Sequence, residues 1–109
     1  MKDRFEISRL MDFYGSLLTE KQRGIMELYY NDDLSLAEIA EISSTSRQAT
    51  HDLINRCYKQ FLSYESKLNL LKKSLEKDKK IIDLLDNMKN KYSLSKEDYQ
   101  EYKYTLEDL

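Results

Sequence analysis

The chain has 109 residues, of which 35% are charged and 40% are hydrophobic, and its formal net charge is −2. This length predicts one domain with an appendage. Proline is absent and there are only two glycines, so few strands or long loops are expected. No stretch is long and apolar enough to span a bilayer, and the N-terminus lacks the apolar region of a signal peptide, which predicts a cytoplasmic protein without membrane insertion.

The reactive side chains form no recognisable catalytic or metal site. The single cysteine, Cys57, cannot form an internal disulfide and is expected on the buried face of a helix. The single histidine, His51, cannot build a zinc site with Cys57 alone. Asp32 and Asp33 are interpreted as a turn, because no further oxygen ligand follows at the spacing of a calcium loop. The sequence also lacks a glycine-rich phosphate loop and a nucleophile with its base, so we expect neither an enzyme nor a bound cofactor.

Two helices are predicted before the central motif. Residues 3–18 carry eight large apolar side chains, too many for one narrow stripe, so this helix should pack on more than one neighbour. Thr19 is placed to cap a second helix over residues 20–31, with Gln22 as its capping-box partner. The Asn-Asp-Asp sequence at residues 31–33 competes for backbone hydrogen bonds and should end that helix.

Residues 35–54 predict two short helices that meet at a tight turn. Ser35 is placed to cap the first helix, with Glu38 completing a capping box. Ser46 is placed to cap the second helix after the Ser-Ser-Thr turn at residues 43–45. The residues expected on the inner face of the second helix are Thr50, Leu53, Ile54 and Cys57. The polar residues left on its outer face are Arg47, Gln48, His51, Asp52, Asn55 and Arg56.

This pattern predicts a helix-turn-helix, whose second helix is suited to enter a DNA major groove. A helix pair that packs without binding DNA would show the same pattern. Arg47 suits a phosphate or a guanine, and Gln48 suits an adenine, by donor and acceptor geometry. Residues 19–64 nevertheless carry five basic against seven acidic side chains, which weakens the attraction for phosphate that supplies most non-specific affinity.

Several short motifs resemble known helix-turn-helix proteins. Residues 18–23 (LTEKQR), 36–40 (LAEIA) and 46–48 (SRQ) resemble sigma-70 region 4. A wider set is similar to the YlxM family, small helix-turn-helix proteins encoded beside signal recognition particle genes in some bacteria. The motifs of that wider set, within residues 8–75, are DFY at 12–14, LLT at 17–19, KQ at 21–22, LYY at 28–30, DDLSL at 32–36, EIAE at 38–41, SRQA at 46–49, YE at 64–65 and KL at 67–68.

The resemblance implies an all-α fold of the sigma-70 region 4 type, a winged-helix-like DNA-binding class without a wing. It also implies a regulator or accessory factor of the signal recognition particle pathway. In sigma-70 region 4 the matching second helix is rich in arginine, and its early positions contact bases and phosphates. Ala49, His51 and Asp52 depart from that pattern, so strong promoter-specific binding is not expected.

The C-terminal part of the chain predicts a long amphipathic helix over residues 65–91, with a bend or break near residues 77–80. Its lysines outnumber its acidic residues by three, whereas residues 92–109 have a net charge of −3. Such a helix needs a partner for its apolar face, either the N-terminal helix or a second copy, and we expect a homodimer. Ser95 should cap a last short helix after a linker at residues 92–94. The apolar residues expected to pack there are Leu94, Tyr99, Tyr102, Tyr104 and Leu106.

These elements predict a helical domain at residues 1–64, with the helix-turn-helix at 35–58, and a C-terminal helical extension at 65–109. Three functions stay open: a DNA-binding regulator, an accessory protein that contacts signal recognition particle RNA or its GTPase subunit, and a protein-interaction module. The second function would use a basic surface, although charge runs are usually solvated helix faces. The residues of that surface are Lys67, Lys72, Lys73, Lys77, Lys79 and Lys80.

Overall fold

The computed structural model describes residues 3–109, and within that range it contains six α-helices, one short 3-10 helix and no strand. The all-α prediction is therefore confirmed. The chain divides into an N-terminal unit that ends at Leu71 and a C-terminal unit, Lys72–Leu109. The α-helices are α1 (Arg4–Tyr14), α2 (Glu20–Tyr30), α3 (Leu36–Ile42), α4 (Arg47–Leu68), α5 (Leu70–Tyr92) and α6 (Lys96–Glu107).

Two capping boxes start α2 and α3 at the predicted residues. The Thr19 hydroxyl accepts a hydrogen bond from the Gln22 N–H at 3.2 Å, and the Gln22 side chain accepts one from the Thr19 N–H at 3.1 Å. Ser35 and Glu38 form the same reciprocal pair at 3.1 and 3.2 Å. Each pair satisfies donors that a helix N-terminus otherwise leaves without partners. The predicted starts of both helices are confirmed.

The first helix is shorter than predicted. α1 ends at Tyr14, a 3-10 turn follows at Gly15–Leu17, and Leu18 is extended with φ −81° and ψ 156°. The prediction of one helix over residues 3–18 is therefore wrong at its C-terminal end. An N-cap residue needs extended backbone, so the chain must leave the helix before Thr19 can cap α2. The same change of direction places the Leu18 side chain in the core.

The core of the N-terminal unit is built from all four of its complete helices and the first turn of α5. The predicted inner face of α4 is confirmed, because Thr50, Ile54 and Cys57 are buried and Leu53 packs against the core at partial exposure. Burial raises the pKa of the Cys57 thiol. The buried residues of this core are Ile7, Leu10, Tyr14, Leu18, Ile25, Met26, Ile39, Ile54, Cys57, Phe61 and Leu71.

A buried tyrosine caps the start of α5. The Tyr14 hydroxyl donates to the Glu65 carboxylate at 2.6 Å and accepts from the Leu70 N–H at 3.2 Å. The same Glu65 oxygen accepts from the Leu71 N–H at 3.0 Å. The first N–H groups of α5 are thus satisfied by side chains from α1 and α4, and the Glu65 carboxylate lies at the positive end of the α5 dipole.

The long C-terminal helix breaks at a different place from the one predicted. Asn69 adopts a left-handed conformation with φ 55° and separates α4 from α5, whereas α5 continues without a break through residues 77–80. Asparagine tolerates this conformation at a helix C-terminus, and the cap described above fixes the new start. Lysine has a high helix propensity, which keeps the Lys-Asp-Lys-Lys segment at 77–80 helical.

The C-terminal unit is a pair of helices with a small apolar contact. Ser95 caps α6 by accepting from the Asp98 N–H at 3.0 Å, as predicted. The Tyr99 hydroxyl donates to the Asp86 carboxylate of α5 at 2.8 Å. Tyr104 is 78% exposed, so its expected packing stays a prediction. Within residues 3–109, no helix combines the length and the apolar composition needed to cross a membrane.

Candidate nucleic-acid interface

The start of α4 is fixed by hydrogen bonds around Ser46. Its hydroxyl accepts from the Ala49 N–H at 3.0 Å, and its carbonyl oxygen accepts from the buried Thr50 hydroxyl at 3.0 Å. In the preceding turn, Ser44 adopts φ 52°, and the Thr45 N–H donates back to the Ala40 carbonyl at 3.0 Å. Because Ala40 is itself buried, the turn anchors the first residues of α4 to the core.

The six polar residues predicted for the outer face of α4 lie on its solvent side. Their positions repeat at i, i+4 and i+8, so they follow one face over three helical turns. Asn55 is partly buried and the other five are exposed. The structure brings these residues together, and their role in binding stays a prediction. The six residues are Arg47, Gln48, His51, Asp52, Asn55 and Arg56.

Hydrogen bonds within α4 already engage the middle of this face. The Gln48 amide nitrogen donates to the Asp52 carboxylate at 2.9 Å. The Asp52 oxygen also lies 3.6 Å from His51 Nδ1, and the Asn55 amide nitrogen lies 3.3 and 3.4 Å from the two ring nitrogens of His51. The bond to Asp52 occupies one of the two amide N–H groups of Gln48 and leaves the other N–H and the carbonyl oxygen for the paired hydrogen bonds of adenine recognition.

The charge of the motif is nearly balanced. Residues 35–56 contain three acidic and two basic side chains. Arg47 and Arg56 are nine residues apart, or about 14 Å along the helix axis, so each can approach a different phosphate. Glu38 is engaged in the capping box of α3, whereas Asp52 lies on the outer face between the two arginines. The outer face can bind an anion at either end but repels one at its centre.

The two residues considered as zinc ligands point to different environments. Cys57 is buried on the inner face of α4, whereas His51 is exposed on the outer face. Among the residues that the structure describes, no group of three or more His, Cys, Asp or Glu side chains could hold a metal ion.

The lysines of the alternative basic surface are divided between the two units. Lys67 lies in the last turn of α4, in the N-terminal unit, and the other five lie on α5. Lys73, Lys77 and Lys80 line one groove of about 420 Å³ on the C-terminal unit, together with the apolar residues Ile81, Leu84 and Leu106 and with Glu76. The structure therefore supports a three-lysine cluster, and it does not gather all six lysines in one compact unit.

A groove beside α2 was not anticipated from the sequence. It has a volume of about 560 Å³ and runs between α2 and the end of α3. The one available sequence signal is Gly24, a glycine inside a helix, where it is usually unfavourable. The residues lining this α2 groove are Glu20, Lys21, Gly24, Ile25, Glu27, Leu28, Asp32 and Ser43.

Comparison with known proteins places this helix-turn-helix in a family. Residues 1–105 match the model of the UPF0122 family, described as "Putative helix-turn-helix protein, YlxM / p13 like". A UPF0122 protein of Clostridium botulinum is 66% identical over 109 residues, covering 100% of both chains. One from Clostridium perfringens is 58% identical over 94% of this chain and 90% of its own, and one from Clostridium novyi is 51% identical over 100% and 93%. The chain belongs to the UPF0122 family of YlxM/p13-like helix-turn-helix proteins.

Proposed function

We propose that this protein is a non-enzymatic regulator that binds duplex DNA through the outer face of α4. One observation carries the proposal: the first three turns of α4 are held in the core on one side and present six polar side chains on the other. A rigid helix with this arrangement is what docking into a major groove requires.

Arg47 is the first residue of α4, next to the N-terminal N–H groups that carry partial positive charge. It would contact a phosphate or a guanine, and Arg56 would contact a second phosphate. Asp52 opposes both contacts. With two phosphate contacts, a plot of the logarithm of the binding constant against the logarithm of the salt concentration has a slope of about −1.8. This proposal therefore predicts weak, mildly salt-dependent binding.

The test is a titration of labelled duplex DNA at several salt concentrations with the wild-type chain and with Arg47→Ala. The substitution should raise the dissociation constant about tenfold if Arg47 contacts a guanine, and it should reduce the salt slope by about 0.9 if Arg47 contacts a phosphate. Lys59→Ala is the matched control, since it removes one positive charge from the same helix about 18 Å further along the axis. No binding, or equal effects of the two substitutions, would contradict the proposal.

A second candidate function is contact with signal recognition particle RNA or with the particle's GTPase subunit. The cluster of Lys73, Lys77 and Lys80 beside an apolar groove favours it, and the family resemblance suggests the pathway. Replacing these three lysines by alanine should weaken binding of signal recognition particle RNA or of the GTPase, whereas Arg47→Ala should not. A double Lys89→Ala, Lys91→Ala variant, on the last turns of the same helix, is the control. A larger loss of binding for Arg47→Ala than for the triple lysine variant would exclude this candidate function.

A further inference from the structure

We propose that the C-terminal unit, Lys72–Leu109, is a dimerisation module that packs against the same unit of a second copy of this chain. The proposal does not depend on whether α4 binds DNA. It is carried by the small size of the unit, by the apolar side chains that the unit leaves exposed, and by its balanced charge.

The C-terminal unit is smaller than an independently stable core usually is. Domains below about 40 residues usually need disulfides, bound metals or oligomerisation, and this unit has 38 residues. The only cysteine and the only histidine of the chain are Cys57 and His51, both in the N-terminal unit. A disulfide within the unit is therefore impossible, and the usual zinc ligands are absent from it. Association with a second copy supplies the missing apolar contact, and it is the solution that we propose.

The unit exposes more large apolar side chains than it buries. Ile81 and Leu85 are buried, whereas seven large apolar or aromatic side chains are exposed: Leu75, Ile82, Leu84, Tyr92, Tyr102, Tyr104 and Leu109. Leu75 and Ile82 are 49% and 38% exposed. Leu75 and Ile82 are seven residues apart on α5, so they form one stripe on the same face of the helix, which we call the α5 stripe. An apolar groove of about 300 Å³ also opens on this unit. The residues that line this apolar groove are Leu85, Met88, Tyr102, Thr105 and Leu106.

The charge of the unit suits contact with a copy of itself. Residues 72–109 contain nine lysines and nine acidic residues, so the unit as a whole is neutral. The two signs are separated, because residues 72–91 have a net charge of +3 and residues 92–109 a net charge of −3. In a two-fold contact the same surface occurs on both sides, so the basic helix of each copy can approach the acidic helix of the other.

The test measures the molar mass of the full chain by sedimentation equilibrium over a wide range of concentrations. The wild type should have twice the 13.1 kDa mass of one chain. A Leu75→Glu, Ile82→Glu variant should raise the dimer dissociation constant at least about tenfold, because the contact would bury carboxylates without partners. Leu62→Glu is the matched control, since Leu62 is a 42% exposed leucine on α4 in the N-terminal unit, and it should leave the dimer intact.

Circular dichroism checks that the helices persist, as expected for glutamate at exposed helix positions. A Leu75→Lys, Ile82→Lys variant tests the α5 stripe with the opposite charge, and it should dissociate the dimer as well. A wild-type chain that is monomeric at every concentration would overturn the proposal, including the case in which the C-terminal unit packs on its own N-terminal unit. A dimer that resists both double variants, or that Leu62→Glu alone dissociates, would also overturn it.

Discussion

The two units use apolar residues in opposite ways. In the N-terminal unit, side chains from α1 to α4 and the first turn of α5 converge on one core that includes Tyr14 and Phe61, both fully buried. In the C-terminal unit, two helices bury Ile81 and Leu85 and leave Leu75 and Ile82 at the surface. The same amphipathic pattern therefore gives a closed core where four helices meet, and an open face where two helices meet.

The largest expected effect comes from removing a large side chain from the closed core. Phe61→Ala should lower the free energy of unfolding by about 3–5 kcal/mol, because the surrounding helices cannot collapse into the space. Leu85→Ala in the C-terminal unit should cost about 2 kcal/mol, at the lower end of such substitutions, since its surroundings are open. Urea denaturation measures the free energy of unfolding of both variants, and residue-resolved hydrogen exchange shows which helices lose protection in each. Equal losses would show that a buried side chain contributes as much to stability in the C-terminal unit as in the N-terminal unit.

The next effect concerns the cap of α5. Tyr14→Phe keeps the ring in the core but removes the hydroxyl that donates to Glu65 and accepts from the Leu70 N–H. Leaving these partly buried groups without partners should cost about 1–3 kcal/mol. Amide exchange at Leu70 and Leu71 should accelerate more than exchange in α2. An unchanged exchange rate at Leu70 would show that the tyrosine hydroxyl does not hold the start of α5.

The same tyrosine gives the N-terminal unit a dependence on alkaline pH. Burial, and then the hydrogen bond to Glu65, raise the pKa of Tyr14 above its ordinary value of 10.0. The unfolded chain therefore loses this proton at a lower pH than the folded chain does. The stabilising contribution is complete below pH 10 and decreases as the pH rises from there towards the folded-state pKa.

Urea unfolding at a series of pH values from neutral to alkaline measures this effect. Tyr14→Phe should reduce the alkaline loss of stability without abolishing it, because burial also raises the pKa of Tyr30 and of Tyr58. A variant as sensitive to alkali as the wild type would show that Tyr14 does not contribute to this dependence.

Local signals predicted the parts of this fold that depend on neighbours in sequence. The capping boxes at Thr19 and Ser35 are complete within four residues, so the sequence contains all the information that determines them. The break at Asn69 was missed because it depends on Tyr14, which is 55 residues earlier in the chain and supplies a cap from another helix. The end of α1 was missed although its signal is local: Thr19 caps α2 and needs extended backbone, so α1 cannot continue to Leu18.

The candidate interface shows the same division between local and long-range information. Helical periodicity was sufficient to place Arg47 and Arg56 on the outer face of α4. Periodicity did not indicate that the Gln48 amide N–H would donate to Asp52, because this hydrogen bond depends on side-chain conformation and on competing partners. The α2 groove was missed because its lining residues come from α2, the turn after it and the end of α3, and acquire a common surface only in the folded chain.

The smallest expected effect concerns Gly24, in the interior of α2. A Cβ atom at this position would meet no atom within 4 Å, and the glycine backbone is helical. Gly24→Ala should therefore stabilise the N-terminal unit by about 0.5–1 kcal/mol, because alanine loses less backbone entropy on folding. The urea midpoint should rise while the slope of the transition stays the same.

The C-terminal unit supplies the control for this last prediction. Hydrogen exchange in α6 should not change, since Gly24 is in the N-terminal unit. A loss of stability would mean that α2 cannot accept the methyl group. The same variant also tests whether the α2 groove belongs to the proposed DNA interface, because the added methyl group lies in that groove. If DNA affinity is unchanged while stability increases, the α2 groove is not part of the DNA interface.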